Sequence, residues 1–232
     1  MTSEPMGAGG PRTIAGPADA AALPGTIRAA LPVFLRHGSP RVLLVALVLA
    51  LAARVAVGGV GWTDLLPIAG TILYWPLQEW LIHVFILHWK PRKLFGRTLD
   101  FAVPRAHRAH HGDPWDLGLV FIPLHSFLYS LPILVATWFL ITPSVRLALT
   151  GLCFSLLLTL HYEWIHFLVH TRVWPRTGLY QRLWRNHRLH HFKSEQHWYG
   201  VTMLSGDRLL RTSPPPQDVP VSLTARTLIG GA

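Results

Sequence analysis

The chain alternates long apolar stretches with short basic ones. The apolar stretches are "VLLVALVLALAA" (42–53), continuing past Arg54 to about Gly61, "LPIAGTILYWPLQEWLIHVFIL" (66–87), "LGLVFIPLHSFLYSLPILVATWFLI" (117–141) and "LALTGLCFSLLLTLHYEWIHFLV" (147–169). Each is close to the roughly 20 residues that a helix needs to cross about 30 Å of hydrocarbon. The pattern therefore predicts four membrane helices, with Arg54 the charge that interrupts the first. Residues 1–35 are rich in Gly, Pro and Ala without a continuous apolar core, which predicts a disordered tail rather than a signal peptide. The Pro-rich residues 212–232 are expected to form a flexible tail, leaving 36–211 as the membrane domain.

Composition agrees with a membrane class. Of 232 residues half are hydrophobic and only 14% are charged, and the mean hydropathy is +0.33. The net charge of +10 fits either nucleic acid or a membrane surface, and position decides between them. Lys90, Arg92, Lys93, Arg97, Arg105 and Arg108 follow the second stretch, and Arg172, Arg176, Arg182, Arg185, Arg188 and Lys193 follow the fourth. The turn between the first two stretches has no Lys or Arg, and that between the last two has only Arg146. This positive-inside asymmetry places both termini and the large loop in the cytoplasm and argues against nucleic acid as a partner. The single cysteine, Cys153, lies in an apolar stretch, so neither a disulfide framework nor a cysteine-based metal site is expected.

Fourteen histidines stand out. Ten form four groups: His83 and His88; His107, His110 and His111; His166 and His170; His187, His190 and His191. All four groups fall at the predicted cytoplasmic ends. At about 100° per residue, His166 and His170 lie about 40° apart on a helix, and each H-x-x-H-H spans an arc of roughly 100° that can face one metal. His83 and His88 diverge by about 140° on a regular helix, which places His88 past the helix end or in a distorted turn. One ion takes about four to six ligands, so ten imidazoles point to two ions. His37, His125 and His197 read as isolated interface side chains, and His161 remains open. Imidazole suits zinc, iron, copper and nickel alike; zinc would favour hydrolysis and iron oxygen chemistry.

The motifs "HVFILH", "HRAHH", "HFLVH" and "NHRLHH" follow the order H-x4-H, H-x2-HH, H-x3-H, H-x2-HH. In that order the chain resembles the fatty acid hydroxylase superfamily, also called the sterol desaturase family, and looks closest to fatty acid 2-hydroxylases. "HHGDPWDLGLVFIP" (110–123), "YEWIHFLVH" (162–170) and "HHFKSEQHWYGVTMLSGDRLL" (190–210) extend the likeness from about Glu79 to Arg211. The resemblance implies an all-α membrane protein of about four transmembrane helices under a cytosolic, histidine-rich helical cap that holds a dimetal site. It implies a non-haem di-iron centre, which zinc can also occupy, using O2 as co-substrate and two electrons to hydroxylate an unactivated C–H bond. The ligands and catalytic residues it carries over are His83, His88, His107, His110, His111, His166, His170, His187, His190 and His191.

Glu79, Glu163 and Asp116 are then candidates to orient ligand rings, although Glu163 reads equally well as a buried structural partner. Trp75, Phe85, Phe121 and Trp164 are candidate walls of an acyl-chain pocket beneath the metals. Many eukaryotic members carry a fused haem domain, and this chain has no such domain and no G-x-G-x-x-G motif. The expected partners are therefore a lipid substrate, membrane lipids, and a ferredoxin-like or haem electron carrier with its reductase. Such a carrier would dock near Arg105, Arg108, Arg185 and Arg188. A sterol, carotenoid or alkane-type substrate is the alternative within the superfamily. A zinc-dependent lipid hydrolase and a metal transporter are the readings outside it.

Overall fold

The computed structural model describes residues 22–226 and residue 228; the expected tail over 1–21 lies outside the described residues. Helices α1 (Ile27–Arg36) and α2 (Gly38–Val57) precede α3 (Leu65–Leu81), which runs on into a π-helical turn, Ile82–Leu87. A hairpin of β1 (Arg92–Leu94) and β2 (Arg97–Leu99) leads to α4 (Ala102–Gly112), α5 (Phe127–Ile141) and α6 (Val145–Val169). Helices α7 (Gly178–Phe192) and α8 (Ser205–Leu209) complete the chain.

The fold is mostly helical, and the hairpin departs from the expected all-α class. Among the described residues three helical segments are long and apolar enough to cross a membrane: Gly38–Val57, Leu117–Ile141 and Val145–Val169. The second expected span differs because its regular helix has 17 residues and then changes to π geometry where the histidines begin. The stretch expected as a tail through residue 35 contains α1. Thr26 caps that helix by accepting from the Ala29 amide at 3.2 Å. Phe34 packs against the rings of Phe121, Trp164 and Phe167 at 5.8, 5.0 and 5.6 Å.

Helix α2 is apolar on every side yet buries one stripe, Leu43 and Ala50 with the partly covered Ala46 and Leu47, against Leu149, Leu152, Cys153 and Leu156 of α6. Val45, Val48, Leu49 and Val55 point outward, as expected of a helix whose other faces meet lipid. Helices α5 and α6 close through small residues: a side chain at Gly151 would run into the Trp138 ring, and Trp138 Nε1 donates to Ser155 Oγ at 3.0 Å. Such interhelical bonds contribute about 0.6 kcal/mol each on average.

Arg54 is explained at the end of the bundle away from the histidines. Its guanidinium donates to Thr150 Oγ1 at 2.8 Å and the Gly58 carbonyl at 3.0 Å, and pairs with Asp64 Oδ1 at 3.1 Å. Arg146 binds the other Asp64 oxygen, and Thr150 donates to Asp64 Oδ1 at 2.9 Å. One carboxylate thus ties α2, the start of α3 and α6 together. Removing it leaves two guanidiniums facing each other beside apolar helices. Asp64→Ala is expected to lower the thermal unfolding midpoint in detergent, with Asp64→Asn falling between it and wild type, whereas metal content of the folded fraction stays unchanged. Equal midpoints for all three chains would count against the clamp.

Candidate metal centre

The first histidine pair meets through the π turn. In that turn the His88 amide donates to the His83 carbonyl, five residues back, at 3.1 Å. A one-residue widening of the helix stacks position i+5 over position i. The two rings, which would diverge on an α-helix, lie with centroids 5.0 Å apart. His166 and His170 need no such device, being one regular turn apart at the end of α6.

The ten grouped histidines form two sets of five whose ligand nitrogens lie within 4.8 Å of one another: His83, His88, His107, His111 and His190 in one, and His110, His166, His170, His187 and His191 in the other. Each H-x-x-H-H is divided between the sets, contrary to the expectation that its three rings face one metal. The i, i+4 pair of α4, His107 and His111, faces the first set while His110 faces the second. In α7 the pair His187 and His191 faces the second set while His190 faces the first. The reason is angular: adjacent histidines stand about 100° apart on a helix, enough to point past one centre to the next.

Backbone carbonyls fix which ring nitrogen carries the lone pair. His83 Nδ1 donates to the Tyr199 carbonyl at 2.7 Å, His111 Nδ1 to that of Ala225 at 2.8 Å, and His190 Nδ1 to that of His197 at 2.8 Å. A carbonyl can only accept, so Nδ1 holds the proton and Nε2 turns its lone pair inward. The Pro114 and Val120 backbones hydrogen-bond His170 and His166. Burial, reinforced by neighbouring imidazoles, holds His107, His110, His187, His190 and His191 well below the usual histidine range, and burial pushes His111 down to about 3. The rings are therefore neutral at pH 7, the form that ligates a cation.

A second layer of residues aims those carbonyls. Asp207, fully buried, accepts from the Tyr199 amide at 3.0 Å and the Gly200 amide at 2.7 Å. Asn186, beside His187, donates to the Gly200 carbonyl at 2.7 Å. Gly200 admits no side chain, since a Cβ there would lie 2.6 Å from the Met203 carbonyl. Glu79 accepts from the amides of Val201 and Thr202 and from Thr202 Oγ1. None of the three expected carboxylates touches a histidine ring. Glu79 acts through the 199–202 backbone, Glu163 binds the Ile122 amide at 2.7 Å, and Asp116 caps a short turn through Gly118.

The end of the chain, expected to be a flexible tail, crosses this site. Ala225 supplies the carbonyl for His111. Arg226 donates to the carbonyls of His111 and Gly112 at 2.9 and 2.6 Å, capping the C-terminus of α4 with a cation. The Ser222 amide donates to the Lys193 carbonyl at 2.7 Å, and Thr224 binds Glu195. No hydrophobic period announces these contacts, because they are made by backbone and polar groups.

Other expectations fare unevenly. Of the four candidate pocket walls, Phe85 lines an apolar cavity of about 490 Å³ together with Trp89, Phe101, Pro104, His125 and Tyr129. Trp75 instead donates to Thr202 Oγ1 at 3.0 Å, and Phe121 and Trp164 pack on α1. His37 stacks on Phe121 at 4.0 Å, and His197 contributes its backbone carbonyl to the site. Arg108 and Arg188 are not free for docking: Arg108 is 9% exposed and paired with Asp100. Arg188 lies between Trp115 and Trp184, 4.9 and 4.1 Å from their ring centres. Arg105 and Arg185 are exposed.

The donor set fits metal ions. His83 Nε2, His107 Nε2 and His111 Nε2 of the first set are buried without a hydrogen-bond partner, the atoms an ion at that set would meet. In the second set Nε2 atoms face one another at 3.0–3.2 Å: His110 with His166, and His187 with both His170 and His191. Crowded neutral nitrogens of this kind are accounted for by a shared cation. Fold and site together define a membrane-span-bearing helical protein built around a histidine cage that could hold two metal ions.

The fatty acid hydroxylase family model matches residues 68–212, and the chain belongs to that family. It is 28% identical over 149 residues to the dihydroceramide fatty acyl 2-hydroxylase FAH2 of Arabidopsis thaliana, covering 63% of this chain and 60% of that protein. It is 30% identical over 159 residues to the fatty acid 2-hydroxylase of Rattus norvegicus, covering 64% and 40% respectively. The chain thus spans about 60% or less of the length of these relatives. A solved structure described as full-length scs7p with only the hydroxylase domain visible shares the fold, with a TM-score of 0.63 at 22% identity, covering 85% of this chain and 70% of that one.

Truncation after Leu223 removes the carbonyl that holds His111 and the cation that caps α4. Loss of such a ring-orienting partner costs about 10–100-fold in metal affinity. The truncated chain is expected to lose one of two bound ions to a chelator much faster than the other, with Arg226→Ala giving a smaller effect in the same direction. Equal chelation rates for wild type and truncation would show that the crossing segment does not support the site.

Proposed function

We propose that this chain is an integral membrane oxygenase that hydroxylates a C–H bond of a fatty acyl or related lipid substrate. The carrying observation is the pair of five-imidazole sets assembled from four remote elements, in a chain of this family. The ten histidines are proposed as the ligands, with two iron ions as the native pair and zinc an alternative occupant. When bound, a redox-active metal pair supplies the reduction of O2 and the oxidising power needed to break an unactivated C–H bond. The chain's own part is to hold neutral rings in one tautomer, through the carbonyls of Tyr199, His197 and Ala225, and to keep bulk water away from a site in which only His88 is partly exposed.

Acyl chains are the favoured substrate class for two reasons. The curated relatives are named as acyl or fatty acid 2-hydroxylases, and the apolar cavity abuts the π turn that carries His83 and His88. A chain lying there would reach the first histidine set from the bilayer side, past Phe85. The positive-inside asymmetry supports a cytoplasmic histidine end with both termini on that side. A sterol, carotenoid or alkane-type substrate remains the alternative within the family. Transport is disfavoured because the histidines cluster at one end rather than along a path.

The purified protein is expected to carry two metal ions per chain and to place one atom of isotopically labelled O2, and none from labelled water, in its lipid product. His110→Ala and His190→Ala each lower metal content and abolish product. Label entering from water instead would assign the zinc hydrolase.

Hydroxylation consumes two electrons per turnover, and an external carrier such as a ferredoxin with its reductase is proposed to deliver them to the exposed Arg105 and Arg185. Raising salt until the Debye length falls from about 10 Å toward 3 Å is expected to slow carrier-dependent turnover several-fold, as is Arg105→Glu with Arg185→Glu. Metal content is unaffected in both cases. Steady turnover with NADPH alone, or rates indifferent to salt, would refute this docking.

A further inference from the structure

The hairpin between the first two histidine groups takes no part in the site. Its strands are paired Arg92 to Leu99, Lys93 to Thr98 and Leu94 to Arg97, so Phe95 and Gly96 form a two-residue turn. Both have positive φ, 49° and 72°. A turn of this kind favours Asn-Gly or Asp-Gly, and a bulky aromatic at its first position is strained. Phe95 is nevertheless there, and it is 95% exposed. Strain together with full exposure of an aromatic ring has no explanation inside the folded chain.

Lys90, Arg92, Lys93 and Arg97, all exposed, surround the turn. The nearby acid, Asp100, is taken by Arg108 and, at 3.9 Å, by Arg105. Arg92 lies over the Trp89 ring, 4.7 Å from its centre, and Trp89 and Phe101 on either side of the hairpin line the 490 Å³ apolar cavity. The same cavity is walled by Tyr129 of α5, whose neighbours Leu128 and Ile133 point outward with the lipid-facing side chains. The hairpin therefore stands where the outward apolar surface of the helices gives way to the polar histidine layer, at the mouth of the cavity.

We infer that this hairpin is an interfacial anchor: Phe95 and Leu94 enter the headgroup boundary of the bilayer while Lys90, Arg92, Lys93 and Arg97 bind anionic lipid headgroups. Aromatic side chains belong at that depth, and basic residues beside them add attraction to an anionic leaflet. Lysine and arginine stems can lie along apolar surface with their charges raised to the phosphates. Contact of this kind would hold the cavity mouth against the leaflet from which a lipid enters. The anchoring itself needs no catalytic turnover.

The test uses the full chain in lipid nanodiscs, with Cys153→Ala and an environment-sensitive fluorophore on Thr98→Cys, next to the turn and distinct from its apolar and basic groups. Discs contain either phosphatidylcholine alone or phosphatidylcholine with phosphatidylserine, each with lipids brominated near the headgroup. Strong quenching with a blue-shifted emission is expected in the anionic discs, and Arg92→Glu with Lys93→Glu and Arg97→Glu is expected to weaken it about tenfold. Phe95→Asn suits the turn better than phenylalanine, so it preserves the hairpin and is expected to relieve the quenching as well. Equal emission in both lipids, or indifference to Phe95→Asn, overturns the anchor. Protection of the probe by an acidic carrier protein, without dependence on lipid charge, also overturns it and assigns the surface to a protein partner. Because no turnover is measured, these outcomes are independent of the hydroxylase assignment.

Discussion

Ten imidazoles gathered within a few ångströms of one another, nine of them buried, are the constraint on which the rest of this structure depends. Charged, they would repel, and burial disfavours every protonated form. Neutral, they still leave ring nitrogens without hydrogen-bond partners, each costing about 1–3 kcal/mol if nothing meets its lone pair. A fold that tolerates this must hold the rings very firmly. Several donate Nδ1 to a main-chain carbonyl, and those carbonyls belong to segments that are themselves pinned.

The pinning explains residues far from any ligand. Asp207 and Asn186 grip the 199–200 backbone, and Glu79 grips 201–202, so His83 is aimed by a carboxylate that never touches it. Gly206 of α8 belongs to the same system: a side chain there would lie 2.4 Å from the Pro76 carbonyl of α3. Gly206 thus lets α8 lie close against α3, beside the Asp207 that binds the Tyr199 amide. At the opposite end Asp64 ties three elements of the bundle, so the helices that present His83, His88, His166 and His170 are fixed at both ends.

What the sequence disclosed follows the same physics. Apolar length marked the helices, and the family motif located the region matched by the family model. Helical spacing also anticipated that His88 would lie past the helix end or in a distorted turn, and it lies just past a π turn. It did not reveal that each H-x-x-H-H is shared, because an arc of imidazoles says nothing of how many centres lie opposite it. Glu163 took the buried structural role the sequence also allowed, while Glu79 and Asp116 touch no ring because ring orientation here is assigned to main-chain carbonyls, which carry no residue-type signature. Residues 222–226 were hidden for a related reason. Their contacts are backbone to backbone or polar to carbonyl, and a Pro-rich stretch with such contacts reads like a loose one. Arg108 and Arg188 looked available because charge alone does not show whether a guanidinium already has Asp100 or two indoles as company.

The division of α4 and α7 between the two histidine sets has a thermodynamic consequence. Each helix is a rigid lever with proposed ligands on both sides: His107 and His111 against His110, and His190 against His187 and His191. An ion seated in one set would fix the rotation of both helices about their axes, and that rotation is the degree of freedom the other set must also freeze. Part of the ordering entropy is then spent once rather than twice. By linkage the coupling is reciprocal: an ion in either set would raise the affinity of its neighbour by the same factor, offset by the repulsion between the two cations.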